Sequence, residues 1–189
     1  MTVKIAQGDA MLRRYANAIG ALGERDAHKA LARAANHTAK KACTQVRRAV
    51  ARQTSIPLKI VKKQTRVDQA NPNGTGAIEA RIVASGRPIP LKAFRPKQFS
   101  YGIKVKLMGK TRPMPGTFIF AGTYRSGKEI AGGHVFQRTT VASLPIEKQY
   151  GPDVPTQIVK DKAADTFEYV VFTALPQRVG HELGRLLPN

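Results

Sequence analysis

The stretch RDAHKALARAANHTAKKACTQVRRAVARQT, residues 25–54, decides the architecture of this chain. Ala27, Leu31, Ala34, Thr38, Ala42, Val46 and Ala49 recur at three- and four-residue steps, the period of one helix face. Arg25, Lys29, Arg33, Lys40, Lys41, Arg47, Arg48 and Arg52 lie mostly off that stripe, so the pattern predicts a long amphipathic helix with a basic outer side. At 1.5 Å per residue it would span about 45 Å. Its stripe is mainly alanine, which lets a neighbour approach closely but buries little area per residue. That length predicts a backbone element of the fold or an oligomer contact rather than a small core helix.

Upstream, residues 9–22 (DAMLRRYANAIGAL) place Met11, Leu12, Tyr15, Ile19 and Leu22 at helical spacing, and Gly20 and Gly23 weaken the end of that segment. Downstream, Ser55 is the expected N-cap of a short basic helix over 57–63, with Pro57 in its first turn. Residues 71–76 (NPNGTG) form a loop by composition. The period then changes to two. Ile78, Ala80, Ile82 and Ala84 alternate with Glu79, Arg81 and Val83, and Ile103, Val105 and Leu107 alternate with Lys104 and Lys106. Both segments predict strands with one buried and one wet face. Further strands are expected around Phe118–Phe120 and Val135–Gln137. Pro88 and Pro90 exclude residues 85–91 from helix and central strand alike. Residues 155–175 return to helix, with Ile158, Val159, Ala163, Phe167, Val170, Val171 and Ala174 near one face. Pro176 kinks or ends that helix, and VGHELGRLL extends it past the kink. The order predicts an α+β fold: long N-terminal basic helices packed on an antiparallel sheet of about four strands, with a C-terminal helix. One domain over 1–189 is expected, helical over 9–63, strand-rich over 64–140, with a loop and helix over 141–189.

The chain has 189 residues, and a core of that size needs no metal or disulfide. Its single cysteine, Cys43, excludes an internal disulfide, and its four scattered histidines give no zinc-ligand spacing. No apolar run approaches the roughly 20 residues of a membrane span. The start MTVKIAQGDA lacks the apolar stretch of a secretory signal, so a protein made and used in a cytoplasm is expected. Charge is the dominant feature: 32 Lys+Arg against 12 Asp+Glu, a net +20. Residues 1–70 carry 15 basic and 4 acidic side chains, residues 71–144 carry 12 and 2, and residues 145–189 carry 5 and 6. The positive field therefore belongs to the first three quarters of the chain and points to a polyanion.

Catalytic and cofactor chemistry finds little support. GTYRSGKE, residues 122–129, fits the start of a phosphate-binding P-loop. Glu129, however, stands where Ser or Thr is needed, and the glycine-rich EIAGGH that follows is a poor helix. It reads as a hairpin loop. No Gly-x-Ser-x-Gly elbow is present. His134 lies in a strand-like segment and His181 beside Glu182 in a terminal helix, each read as structural or solvated. Asp161, Asp165 and Glu168 share a helix face and read as solvated, and Cys43 as a small packed residue. No catalytic residue, metal ligand, cofactor or small-molecule substrate is expected. The cations Lys40, Lys41, Arg47, Arg48, Arg52, Lys104 and Lys106 are the candidates for sequence-independent phosphate contact. Phe94, Phe99 and Tyr101, among Arg95, Lys97 and Lys104, either stack on bases or belong to the packing of the sheet, the second being favoured. No helix-turn-helix, zinc-finger or RNA-recognition signature supports sequence reading.

Two further stretches carry a resemblance. Ser85, Gly86, Arg87, Pro88, Ile89, Pro90 and Leu91 form SGRPIPL, followed by GIKVKL at 102–107. Later come GTFIF at 116–120, then Leu144, Pro145 and Ile146, and then Tyr150, Gly151 and Pro152 within LPIEKQYGPDVP. In this order, behind the alanine-rich basic helix, they resemble the prophage minor tail protein Z family, the tail completion proteins of lambda-like tailed phages, over roughly residues 25–160. The resemblance implies a non-enzymatic virion protein at the head-proximal end of the tail, assembled in the bacterial host cytoplasm, with other tail and neck proteins as partners. It implies no catalytic residue. Related head–tail joining proteins form rings, commonly hexamers, around a DNA channel, so a homo-oligomeric ring with non-specific DNA contact is expected and no membrane. The alternative is a non-specific nucleic-acid-binding protein that does not assemble into rings.

Overall fold

The computed structural model of the chain describes residues 2–3, 24–73, 77–123, 129–140 and 144–186. The helix expected over 9–22 lies outside them. In chain order the elements are β1 (Thr2–Val3), α1 (Glu24–Thr54), α2 (Leu58–Gln64), β2 (Thr65–Asp68), β3 (Arg81–Ala84) and a 3-10 turn at Leu91–Phe94. They continue as β4 (Lys97–Phe99), β5 (Gly102–Leu107), β6 (Lys110–Pro115), β7 (Thr117–Thr123) and β8 (Glu129–Arg138). Last come β9 (Ile146–Lys148), α3 (Val154–Gln157) and α4 (Asp161–Gly184). The fold is α+β.

α1 forms where its 3.6-residue period predicts. Ala27, Leu31, Ala34, Thr38, Ala42 and Val46 are buried and Ala49 half-buried. Burial extends over two sides of the helix. One side joins α4 in a cluster that includes Leu31, Val46, Val50, Val171, Leu175 and Val179. On the other, Ala32, Ala35 and Ala39 meet Ala70 and Ala80 in a cluster of buried alanines, against which Val67 and Ile78 pack. The alanines are what allow one helix to be covered on both sides. Gln53 ties the end of α1 to both C-terminal helical segments: its Nε2 donates to Gln157 O of α3 (2.9 Å), and its Oε1 accepts from Ala163 N–H of α4 (3.2 Å). The C-terminal end of α1 thus lies at the start of α4, and the two helices run antiparallel.

Ser55 is not the N-cap of α2. It has φ +66° and ends α1 in the left-handed conformation, its N–H donating to Ala51 O (3.0 Å). Pro57 precedes α2 with no side-chain cap. The Ser55 hydroxyl instead accepts from Gly109 N–H (3.2 Å), and Met108 N–H donates to Thr54 O (3.2 Å), tying the β5–β6 turn to the end of α1.

The strands are more numerous than the four expected, and they form three antiparallel three-stranded sheets, β1-β3-β2, β4-β5-β6 and β7-β8-β9. β5 falls where alternation predicts it, while β3 takes up only the second half of its alternating stretch, Arg81–Ala84. Ile82 and Ala84 are buried on β3, and Ile103 and Val105 on β5, with Lys104 and Lys106 exposed. β6 contains Pro113 and Pro115 and is tolerated because it is an edge strand. The C-terminal helix begins later than expected and continues past Pro176, as the VGHELGRLL extension expects. A separate turn, α3, is capped by Asp153, whose carboxylate accepts from Thr156 N–H (3.0 Å) and Oγ1–H (2.7 Å). α4 then runs through Pro176 to Gly184.

Candidate nucleic-acid interface

Between Ala27 and Val67 the chain holds eleven Lys and Arg and no Asp or Glu. On α1 this becomes a surface. Arg33, Lys40, Lys41, Arg48 and Arg52 are all exposed, and their spacings of seven, one, seven and four residues keep them on one side of the helix. None forms an ion pair among the described residues, whereas Lys29, nearer the start, is paired with Asp26 (3.3 Å). From Arg33 to Arg52 the rise is about 28 Å. A duplex of that length carries on the order of 16 phosphates, so the cations are outnumbered and cannot neutralise it.

Arg47 is placed differently. It is half-buried, its Nε–H donates to Thr65 Oγ1 (2.6 Å), and its Nη2 donates to Thr65 O (2.5 Å). Its guanidinium locks α1 to the start of β2. Beside it, burial pushes the Cys43 thiol up, against the pull of the Arg47 charge, so Cys43 is packed and protonated.

A second basic surface lies on the wet face of β5. Lys104 and Lys106 project from it, and Lys97 of β4 is the cross-strand neighbour of Lys104. Phe99 and Tyr101 stack on one another at 5.7 Å with ring planes 13° apart, 39% and 44% exposed. The Lys104 ammonium stands 4.8 Å from the Phe99 ring centre. Phe94, by contrast, is in the core. The two exposed rings are surface features rather than sheet packing, which corrects the reading favoured from sequence.

The two motif stretches, far apart in sequence, are hydrogen-bonded to each other. Gly151 N–H donates to Ile89 O (2.7 Å), Leu91 N–H to Gln149 O (3.1 Å) and Ile89 N–H to Pro152 O (3.4 Å), and Pro90 bridges Tyr150. Ile89 and Leu91 are buried, while Ser85, Gly86, Arg87 and Pro88 are exposed. A Cβ on Gly151 would sit 2.8 Å from the Phe94 ring, so that glycine permits a close approach. Leu144 is exposed, its bond to Pro145 is cis, and Ile146 opens β9 opposite Arg138.

Around this junction lies an open groove of 610 Å³. Ile60, Pro88, Pro90 and Tyr150 give it apolar walls, and Arg87, Lys92, His134 and Lys148 add cationic or imidazole groups; no carboxylate lines it. Lys148 Nζ is 3.3 Å from His134 Nε2, and Lys92 Nζ donates to Gly132 O. His134 Nδ1 is buried without a hydrogen-bond partner among the described residues. Burial, with the charges of Lys148 and Lys92, holds this imidazole below the usual histidine range, so it is neutral near pH 7. The groove joins α2, the 85–93 segment, β8 and β9. Sequence reading did not assemble this groove, because its lining comes from four separated segments.

The P-loop candidate falls between β7 and β8, which pair antiparallel up to Thr123 and Glu129. A P-loop requires a strand leading into a helix, so its flanks are of the wrong kind; residues 124–128 themselves lie outside the described residues. Glu182 is 3% exposed and is held by Arg178 (2.5 Å). His181 stands 3.9 Å from it. Among the described residues no three His, Cys, Asp or Glu are grouped to hold a metal ion, and no helix is long and apolar enough to cross a membrane.

The family model of Prophage minor tail protein Z (GPZ) matches residues 15–188 of the chain. No curated protein and no solved structure matches it.

Proposed function

The chain belongs to the prophage minor tail protein Z family, a structural component of phage tails, and from that premise we propose that it completes the head-proximal end of the tail as a ring around the DNA channel. The observation that carries this reading is the exposed, acid-free cationic side of α1, Arg33 to Arg52, on a protein with no base-reading motif. A channel that passes any genome needs phosphate contact without sequence preference, and many weak contacts suit a moving polymer better than a few tight ones. Lys40, Lys41, Arg48 and Arg52, with Lys104 and Lys106 of β5, are the proposed DNA-proximal residues. Arg47 is left out because its guanidinium is committed to Thr65. The chain acts without catalysis or cofactor in this reading. One hydrophobic cluster containing residues of α1, β3, β5, β8 and α4 supports treating residues 1–189 as one domain.

The test is assembly of virions in a host supplying only the variant Lys40→Glu, Lys41→Glu, Arg48→Glu, Arg52→Glu. Tails of normal length that give few infectious particles are expected, and a wild-type titre overturns the lumen assignment. The second reading, a free non-specific nucleic-acid-binding protein, draws on the same cations and on the stacked Phe99–Tyr101 pair. It wins if the protein coats DNA and does not associate with tail tubes.

A further inference from the structure

The outer face of α4 is the least expected surface of this molecule. Tyr169 and Phe172, three residues apart on one helix side, are 71% and 73% exposed, the most exposed aromatics among the described residues. Asp165 and Glu168 flank them, both exposed. From Asp161 to Leu175 the helix carries three carboxylates and one cation, Lys162, in a chain whose net charge is +20. An apolar centre with a charged border is the anatomy of a protein contact, and aromatic residues are its usual anchors.

The complement of this surface is on the same chain. The groove at the motif junction has apolar walls, the cations Arg87, Lys92 and Lys148, and no carboxylate. Its 610 Å³ is of the size that accepts a pair of large side chains. We propose that the α4 face of one copy, anchored by Tyr169 and Phe172, docks into the 85–93/148–150 groove of the next copy. Asp165 and Glu168 then meet Arg87, Lys92 and Lys148. A contact between two different patches is heterologous, so each copy offers one donor face and one acceptor groove, and repetition closes a ring or extends a filament. Such a contact uses none of the cations of α1 or β5 and leaves both surfaces for DNA. The inference rests on the ring reading above and gives that ring its joint.

The experiment is disulfide trapping between two chains, one carrying Phe172→Cys and the other Pro88→Cys, mixed with copper phenanthroline, in solution and on tail tubes. Both positions are exposed, and the native Cys43 is buried and does not compete. The mixed dimer is expected, with little of either homodimer, and a chain carrying both cysteines should give a ladder of higher species. Adding Glu168→Lys to the Phe172→Cys chain should lower the mixed dimer about tenfold, and Lys148→Glu in the partner should restore it. Absence of the mixed dimer in both settings, or Phe172→Cys homodimers in equal amount, overturns the proposal. Tail binding without the cross-link defeats this joint and leaves the tail reading standing. The cross-link without tail binding does the reverse.

Discussion

Lys40 and Arg47 stand seven residues apart on the same side of α1, and their side chains do opposite things. Lys40 is exposed and forms no ion pair among the described residues; Arg47 is half-buried and donates twice to Thr65. Arg47→Ala removes a charged donor and leaves Thr65 O without that partner, so a loss of about 1–3 kcal/mol is expected in urea unfolding. Lys40→Ala should shift the same curve by less than about 0.5 kcal/mol. Equal effects would mean that the Thr65 contacts carry no stability. Sequence periodicity assigns both residues to the basic side of the helix and cannot tell them apart. The difference comes from β2, which places Thr65 beside one and nothing beside the other. Gly151 is similar: its motif was readable, but its reason, the Phe94 ring packed where a Cβ would be, exists only in the folded chain.

At the scale of elements, the long-period signals were the readable ones. α1 repeats its pattern over 31 residues, and β5 alternates over six, because each sets a regular run of buried side chains against the core and leaves a wet face. β4 and β6 gave no such signal. β4 is three exposed residues, and β6 is an edge strand with two prolines and hardly any buried side chain. They exist because β5 offers them a backbone to pair with, which is a property of the neighbour. The start of α4 was also illegible. Lys160 precedes it with no side-chain cap, and the cap comes from Gln53, on another helix. Gln53→Ala is therefore expected to cost about 1 kcal/mol, as loss of an N-cap does, and to raise hydrogen exchange at Ala163. Unchanged protection at Ala163 would show that the first turn of α4 needs no cap from α1.

For the whole molecule, charge was visible at once and its geography was not. Composition placed the positive field in the first three quarters of the chain. The fold sorts it into the α1 side, the β5 face and a groove drawn from four separated segments, and sets an acidic aromatic face on α4 apart from them. Nothing local links Ile60, Pro88, His134 and Tyr150, so no pattern search along the chain would assemble that groove. If the exposed cations of α1 and the three of β4–β5 all meet phosphate, the logarithm of DNA affinity should fall with log salt at a slope of about −7. Lys40→Ala with Lys41→Ala should reduce that slope by about 2 without creating sequence preference. An unchanged slope, measured by fluorescence anisotropy on two unrelated duplexes, would place both lysines away from DNA.

The bonds from Met108 to Thr54 and from Gly109 to Ser55 make the β5–β6 turn a strut against the end of α1. If a DNA strand moves past Lys104 as proposed, its pull on β5 would pass through these two bonds into the 31-residue helix instead of bending a loop. The helix side and the sheet face would then recoil together, as the two jaws of a fixed-gap bearing, and the proposed channel would resist traction on the genome by stiffness in its wall instead of by a changing grip.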